Sequence, residues 1–296
     1  MADLVERILA ADPSVWPGST AAHALGWIGH RERYLGQWLD DVDDRRPKRH
    51  DRTILVGMGG SSGPARLYAD SRPDATLTVL DTTNPDTISS TEFLGATVIA
   101  SSKSGTTIET QTLLAHALSK DVDPADVVII TDPGTILEEL GESLGATVVR
   151  GDPATGGRFS GISPFGLVPA LYAGWTPDEL RVELAAGDAT ATVEEAIRRA
   201  ARILEGDGVV VGLAHDPATS GSALWHDQLI AETTGKDGRG VLPLVRAGGV
   251  AVSPRDQWGW HVTAALLARG LGVDPFDQPD VEAAKRGAFA LLESGP

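Results

Sequence analysis

Cysteine is absent from this chain of 296 residues. Its absence excludes disulfides, thiolate metal sites and a cysteine nucleophile. Long apolar runs are also missing, since no stretch approaches the roughly 18 residues that a membrane-spanning helix needs. The first residues lack the basic-then-apolar pattern of a secretory signal. These features together predict a soluble, cytoplasmic protein.

The chain is also poor in basic side chains, because 25 lysines and arginines face 41 acids for a formal charge of −16. The electric field of this negative charge repels phosphate backbones and anionic lipids, so nucleic acids and membranes are poor candidate partners. An anionic small substrate needs local bases and backbone N–H groups that overcome this field. Only five of the basic residues are lysines, so a lysine inside a motif carries more information than usual.

From residue 53 onward, short β-branched runs alternate with helical stretches. Five such runs are predicted strands, at 53–57, 77–80, 97–100, 127–130 and 147–149. Continuous apolar strands separated by helices indicate a parallel sheet covered on both faces. In such a sheet the ligand binds beyond the carboxyl ends of the strands. A shorter α/β unit follows, with a predicted strand at 208–212 and helices near 256–270 and 279–292.

The predicted organisation is therefore α/β with three parts. Residues 1–50 form a peripheral helical segment, in which the charged run 40–49 is typical of an exposed linker. Residues 51–175 form a first α/β domain. Residues 176–296 form a second, shorter α/β domain with C-terminal helices.

Two predicted strand-to-helix turns are rich in groups that bind anions. Gly57 to Gly63 reads GMGGSSG, and Ser101 to Thr107 carries five hydroxyls, a lysine and a glycine at the start of the next helix. Glycines let the backbone approach an anion, and the N–H groups at a helix start favour a phosphate. A tight turn without ligand and ordinary N-capping are the alternatives. The spacing is not G-x-G-x-x-G, which disfavours a nicotinamide cofactor.

Three further segments carry side chains suited to chemistry, although each alone has an ordinary interpretation. Arg158 lies in a glycine-rich loop and could stabilise an oxyanion or form a surface salt bridge. Glu232 stands near a predicted helix end, where most glutamates are solvated. Lys285 follows Asp277 on a predicted helix and could equally face solvent.

Together, in this order, these segments resemble the glucose-6-phosphate isomerase family, and specifically the isomerase half of bacterial transaldolase–isomerase fusions. The strings that carry the resemblance are ILVGMGGSS at 54–62, SKSGTTIET at 102–110, GGRFSGISPFGL at 156–167, QLIAETTGK at 228–236 and PFDQPDVEAAK at 275–285. The resemblance implies two flavodoxin-like sugar-isomerase (SIS) domains with parallel sheets covered on both faces. It also implies a homodimer, no metal and no organic cofactor, and interconversion of glucose 6-phosphate and fructose 6-phosphate.

The resemblance also implies roles for individual residues. Glu232 matches the catalytic base, Arg158 the arginine that stabilises the enediolate, and Lys285 the lysine that assists ring opening. The residues that match the phosphate site are Gly60, Ser61, Ser102, Lys103, Ser104, Thr107 and Gln278.

Ring opening departs from the family pattern. Between Lys236 and Phe276 no segment resembles the GTNGQH string that carries the ring-opening histidine in longer members. His226 and His261 lie nearest in sequence, but neither matches that motif; they are the next residues to test as the base if Glu232 does not take the proton. Two alternatives stay open: a non-catalytic sugar-phosphate-binding protein on the same scaffold, and an isomerase for another sugar phosphate.

Overall fold

The computed structural model describes residues 1–47, 50–72, 74–205, 210–214, 220–246, 249–250 and 252–279, and the single positions 281, 283, 284, 286, 287 and 290. The chain begins with three helices, α1 (Ala2–Leu9), α2 (His30–Tyr34) and α3 (Gln37–Arg45). In α1, Val5 and Ile8 lie one turn apart and are both buried. The prediction of an exposed linker from residue 40 is wrong for its first half, because α3 buries Leu39 and Val42 while its acidic residues face solvent.

A five-stranded parallel sheet forms the centre of the molecule, in the order β2-β1-β3-β4-β5. Its strands are β1 (Thr53–Gly57), β2 (Leu77–Leu80), β3 (Thr97–Ser101), β4 (Val127–Thr131) and β5 (Thr147–Arg150). This is the flavodoxin-like order, and it reverses between β1 and β3. Gly57, the last residue of β1, pairs with Ser101, the last residue of β3. The two anion-suited turns therefore leave adjacent strands at the point where this fold binds its ligands.

Helices cover both faces of this sheet, as predicted. The helices are α4 (Gly63–Asp70), α5 (Pro85–Ser90), α6 (Ile108–Leu118), α7 (Ile136–Leu144) and α8 (Pro164–Tyr172). Alternate residues of β1 enter different cores: Leu55 packs with residues of α4 and α8, and Ile54 with residues of α6 and α7. This two-sided burial explains why the strands are apolar without interruption.

A second, smaller α/β unit follows. It contains α9 (Pro177–Leu184), α10 (Ala189–Glu205), β6 (Val210–Ala214), α11 (Ser220–Thr234), β7 (Leu242–Arg246) and α12 (Gln257–Leu271). Strands β6 and β7 are parallel, and Val250 adds a parallel bridge to Leu213. The prediction did not include β7, which contains Pro243 and is bordered by glycines. Half of the predicted helix at 279–292 lies outside the described residues, and its described positions, 279, 281, 283, 284, 286, 287 and 290, are helical.

The two units meet where α11 packs on α4. Gly63 permits this approach, because a β-carbon there would lie 2.5 Å from the Trp225 ring, and the Gly221 N–H donates to Asp70 Oδ2 at 2.7 Å. The contact brings the end of α11, with Glu232, to the carboxyl edge of the five-stranded sheet. In the described part of the chain, no helix has both the length and the apolar character to cross a membrane.

Candidate functional site

A cleft of about 430 Å³ opens at the carboxyl ends of β1 and β3. Of the residues predicted to hold phosphate, those that line it are Gly60, Ser61, Lys103, Ser104, Thr107 and Gln278. Ser102 lies beneath its floor: the side chain is buried, and its hydroxyl donates to Thr107 Oγ1 at 2.9 Å. The backbone N–H of Lys103 donates to Ser61 Oγ at 3.4 Å, which ties the two turns together.

The turn after β1 is shaped by two glycines. Gly59 has a φ of +55°, a conformation that strains a side-chain-bearing residue. Gly60 lies directly against the backbone of Gly157, since a β-carbon on Gly60 would be 2.7 Å from the Gly157 carbonyl carbon. The Ser160 hydroxyl donates to the Gly60 carbonyl at 3.2 Å. These two contacts hold the loop that carries Arg158 against the turn after β1.

We expect Gly60→Ala to weaken the site and the fold together. The added methyl would meet the backbone of Gly157, and backbone atoms do not move aside as a flexible side chain would. The turn after β1 and the loop that carries Arg158 must therefore separate. Overpacking of this kind costs about 1–3 kcal/mol. Gly29→Ala is the matched control, because a β-carbon at Gly29 meets nothing within 4 Å. Denaturant unfolding and sugar-phosphate affinity measure the effect, and equal values for the two variants would contradict it.

Lys103 lines the cleft, but its charge is already engaged. Its Nζ forms a short ion pair with Asp132 and donates to the carbonyl oxygen of Asp152 at 2.8 Å. A phosphate in the cleft would therefore share this ammonium with Asp132. The start of α6, directly after Thr107, supplies further positive potential from the helix dipole and its unpaired N–H groups.

Arg158 is the most enclosed charge in the described part of the chain. Its side chain is fully buried and, besides a bond to Gln278 described below, makes four hydrogen bonds: Nε to Thr233 Oγ1 (3.0 Å), Nη1 to Glu232 Oε1 (3.4 Å), and Nη2 to the carbonyls of Pro275 (2.5 Å) and Asp277 (3.0 Å). Burial lowers the pKa of Arg158, and the charge of Glu232 opposes that shift. An arginine nevertheless stays protonated in proteins, so this site holds a fixed cation.

Glu232 presents its carboxylate at the last turn of α11, with its side chain 21% exposed. Gln228, one turn earlier, donates from Nε2 to Glu232 Oε2 at 3.1 Å. The amide of Gln278, oriented to satisfy both neighbours, donates to Glu232 Oε1 at 2.8 Å and accepts from Arg158 Nη1 at 3.3 Å. Gln278 also lines the cleft. The carboxylate, the buried guanidinium and the anion-suited turns therefore belong to one continuous site.

Comparison with known proteins finds relatives of one kind. The chain is 31% identical over 199 residues to a glucose-6-phosphate isomerase of Rubrobacter xylanophilus, which covers 61% of this chain and 44% of that protein. It is 30% identical over 257 residues to a glucose-6-phosphate isomerase of Bacillus cereus, with 74% of this chain and 57% of that protein covered. The chain is homologous to the glucose-6-phosphate isomerases. It spans about half the length of these curated relatives.

Solved structures share the fold at lower identity. A hypothetical protein of Thermus thermophilus superposes with a TM-score of 0.75 at 20% identity, covering 98% of this chain and 94% of that one. A glucose-6-phosphate isomerase of Chlamydia trachomatis superposes with a TM-score of 0.68 at 16% identity, covering 98% and 78%. No family model matches the sequence. The α/β architecture is thus confirmed, while the domain boundaries and the likeness to the isomerase half of fusions stay predictions.

The structure brings Lys236, which the sequence interpretation gave no role, to the loop that presents Gln278. Its side chain is 5% exposed, and Nζ donates to the carbonyl oxygens of Asp274 and Asp277 (2.8 Å to the latter) and to Asp277 Oδ1 at 2.6 Å. Burial lowers the pKa of Lys236, and Asp277 opposes that shift. Lys236 and Arg158 together hold the loop that presents Gln278. The scarcity of lysine in the chain is the sequence signal that could have found it.

The two histidines nearest in sequence to the missing string are not brought to the cleft. Lys285 lies outside the described residues. His226 and His261 are buried, and His261 packs edge-on against the rings of Trp27 and Phe159. Burial lowers the pKa of His261 well below its usual value. Both histidines are core residues, and neither lines the cleft. Among the described residues no cluster of three metal-ligating side chains occurs.

Proposed function

We propose that the chain is an aldose–ketose isomerase that interconverts glucose 6-phosphate and fructose 6-phosphate through a cis-enediol. The observation that carries the proposal is the placement of Glu232 beside buried Arg158, bridged by Gln278, at the end of the cleft formed by the turns after β1 and β3. A protein that only bound sugar phosphates would need neither this carboxylate nor this buried cation. Homology to glucose-6-phosphate isomerases supports the same reaction.

Glu232 is the proposed base. Moving the carbonyl from C1 to C2 requires removal of the C2 proton and delivery of a proton to C1. A single carboxylate can do both, because it takes the first proton and then returns it to the neighbouring carbon of the enediol. Gln228 and Gln278 each donate to one oxygen of this carboxylate, which fixes its plane.

Arg158 is the proposed stabiliser of the intermediate. Negative charge develops on the sugar oxygens as the C2 proton leaves, and a fixed guanidinium favours that charge without moving a proton. Because Arg158 is held by Thr233 and two backbone carbonyls, it is oriented before substrate arrives. Such preorganisation avoids the cost of reorienting dipoles during the reaction.

The phosphate group of the sugar is the proposed anchor of the substrate in the cleft. Gly60, Ser61, Ser104 and Thr107 offer hydroxyl and backbone groups along the cleft, and Lys103 supplies charge. Ser102 supports Thr107 from below. Binding energy from this remote group positions C1 and C2 against Glu232 and so contributes to the rate.

The test is a coupled assay of the purified chain with fructose 6-phosphate, beside mannose 6-phosphate. We expect turnover of fructose 6-phosphate and little or none of the mannose compound. Light scattering on the same sample reports whether the expected homodimer forms. A protein that binds fructose 6-phosphate without turnover would contradict the proposal in favour of a binding protein. Preference for mannose 6-phosphate would assign a different sugar isomerase.

A further inference from the structure

Hexose 6-phosphates are mostly closed rings in solution, and the proposed reaction needs the open chain. Opening moves one proton: the hydroxyl on the anomeric carbon loses it, the bond from that carbon to the ring oxygen breaks, and the ring oxygen gains it. One nitrogen that can both take up and release a proton is able to carry it from the anomeric hydroxyl to the ring oxygen, and a neutral imidazole offers such a nitrogen. The site therefore needs an imidazole, or an equivalent pair of groups, facing the bound sugar.

His23 is the histidine that lines this cleft within the described part of the chain. It ends the short 3-10 turn Ala21–His23, and its side chain is exposed, on the same cleft as Ser61, Ser104 and Gln278. No hydrogen bond or ion pair engages its imidazole among the described residues, so both ring nitrogens are free. The sequence pattern gave no sign of this, because His23 lies about 35 residues before the first motif and matches no family string.

The segment that carries His23 is held on both sides by the loops of the site. On one side, the Thr20 N–H donates to Asp274 Oδ2 at 2.7 Å, and the Trp16 ring packs edge-on against Phe276. These contacts tie His23 to the loop that presents Gln278.

On the other side, the Gly26 N–H donates to the Ala154 carbonyl at 2.8 Å. A β-carbon on Gly26 would lie 2.5 Å from Asp152 Oδ2, so only glycine allows the two segments to approach this closely. The segment 152–155 leads directly into the loop that carries Arg158. His23 is therefore fixed relative to both Gln278 and Arg158, although it is remote from them in sequence.

The other groups of the described cleft are poorly suited to ring opening. The Lys103 ammonium is paired with Asp132, and Glu232 is the proposed base for the C2 proton. Serine and threonine hydroxyls are very weak acids and bases at neutral pH. His226 and His261 are enclosed in the core. This leaves His23 as the group of suitable chemistry.

We propose that His23 is a catalytic residue that opens the sugar ring: one ring nitrogen takes the proton of the anomeric hydroxyl and, as the bond to the ring oxygen breaks, gives that proton to the ring oxygen. The imidazole is neutral before and after the step, so atoms and charge balance without a further reactant. This inference rests on the proposed isomerase function.

The test compares His23→Gln with the parent on two substrates. One is fructose 6-phosphate. The other is 5-deoxyfructose 6-phosphate, which lacks the hydroxyl that closes the ring and is therefore already open. Exchange of a C1 hydrogen for solvent deuterium, followed by NMR, reads the isomerisation step on both. His116→Gln is the matched control, because His116 packs against Phe93 outside the cleft.

We expect His23→Gln to lower the rate on fructose 6-phosphate by roughly 10²-fold, the lower end of the range for a positioned acid–base group. On the open-chain substrate its rate should stay within about threefold of the parent, and His116→Gln should match the parent on both. Equal losses on both substrates would overturn the proposal, since His23 would then act in binding or isomerisation itself. An unchanged rate on fructose 6-phosphate would also overturn it. If the parent acts on neither substrate, the proposed function fails, and the role of His23 fails with it.

Discussion

Glu232→Gln is expected to lower isomerisation by about 10²–10⁴-fold, the value typical of a positioned base, while leaving sugar-phosphate affinity within a few-fold. The amide keeps the shape of the side chain but does not accept the C2 proton at neutral pH. The phosphate-binding groups lie on the turns after β1 and β3, whereas Glu232 ends α11. Loss of the carboxylate therefore removes the base for the C2 proton and leaves the phosphate-binding groups in place.

Two measurements separate these effects. The coupled assay gives kcat, and calorimetry gives the affinity for fructose 6-phosphate. Glu139→Gln is the matched control, since it makes the same change on an exposed position of α7. If Glu232→Gln keeps most of the parent's turnover, the base is another group, and the cleft residues His23 and Asp132 become the next to test. A parent without turnover would instead favour a binding protein.

The five-stranded sheet could be predicted from the sequence because its signals are local. Strands β1 and β4 are uninterrupted apolar or β-branched runs, and each is followed by glycine, proline or polar residues that end it. Parallel strands need a crossover between them, so the alternation with helices fixes the fold class. The placement of the anion-suited turns at one edge follows from the same rule, since all carboxyl ends of a parallel sheet point the same way.

The features that the sequence did not reveal depend on contacts between distant segments. The charges of α3 concealed two buried residues, Leu39 and Val42, because only half of that helix faces the core. Lys236 resembles any lysine at a helix end until the loop at 274–278 folds over it. His23 reaches the cleft through bonds to residues more than a hundred positions away in the chain. Neither Lys236 nor His23 leaves a periodic trace in the local sequence.

Arg158→Lys is expected to lower kcat by about 10²–10³-fold, the range for loss of a preorganised oxyanion donor, and to destabilise the fold as well. The guanidinium donates from three nitrogens to Thr233, Glu232 and two backbone carbonyls. A lysine ammonium is a single point with three donors and does not reproduce this planar geometry. At least one buried acceptor loses its partner, which costs about 1–3 kcal/mol. The loop that carries Gln278 then loses part of its support.

Arg202→Lys is the matched control, because Arg202 is 61% exposed and pairs with Glu195 at the surface of α10, where such pairs contribute about 0–1 kcal/mol. Steady-state kinetics and denaturant unfolding are measured on both variants. The proposed role requires that Arg158→Lys still lowers kcat at temperatures where the variant is fully folded, because the lost guanidinium stabilises the transition state. If turnover returns to the parent value once the folded fraction is accounted for, Arg158 only holds the 275–278 loop, and the charge of the intermediate must be stabilised by other donors of the cleft.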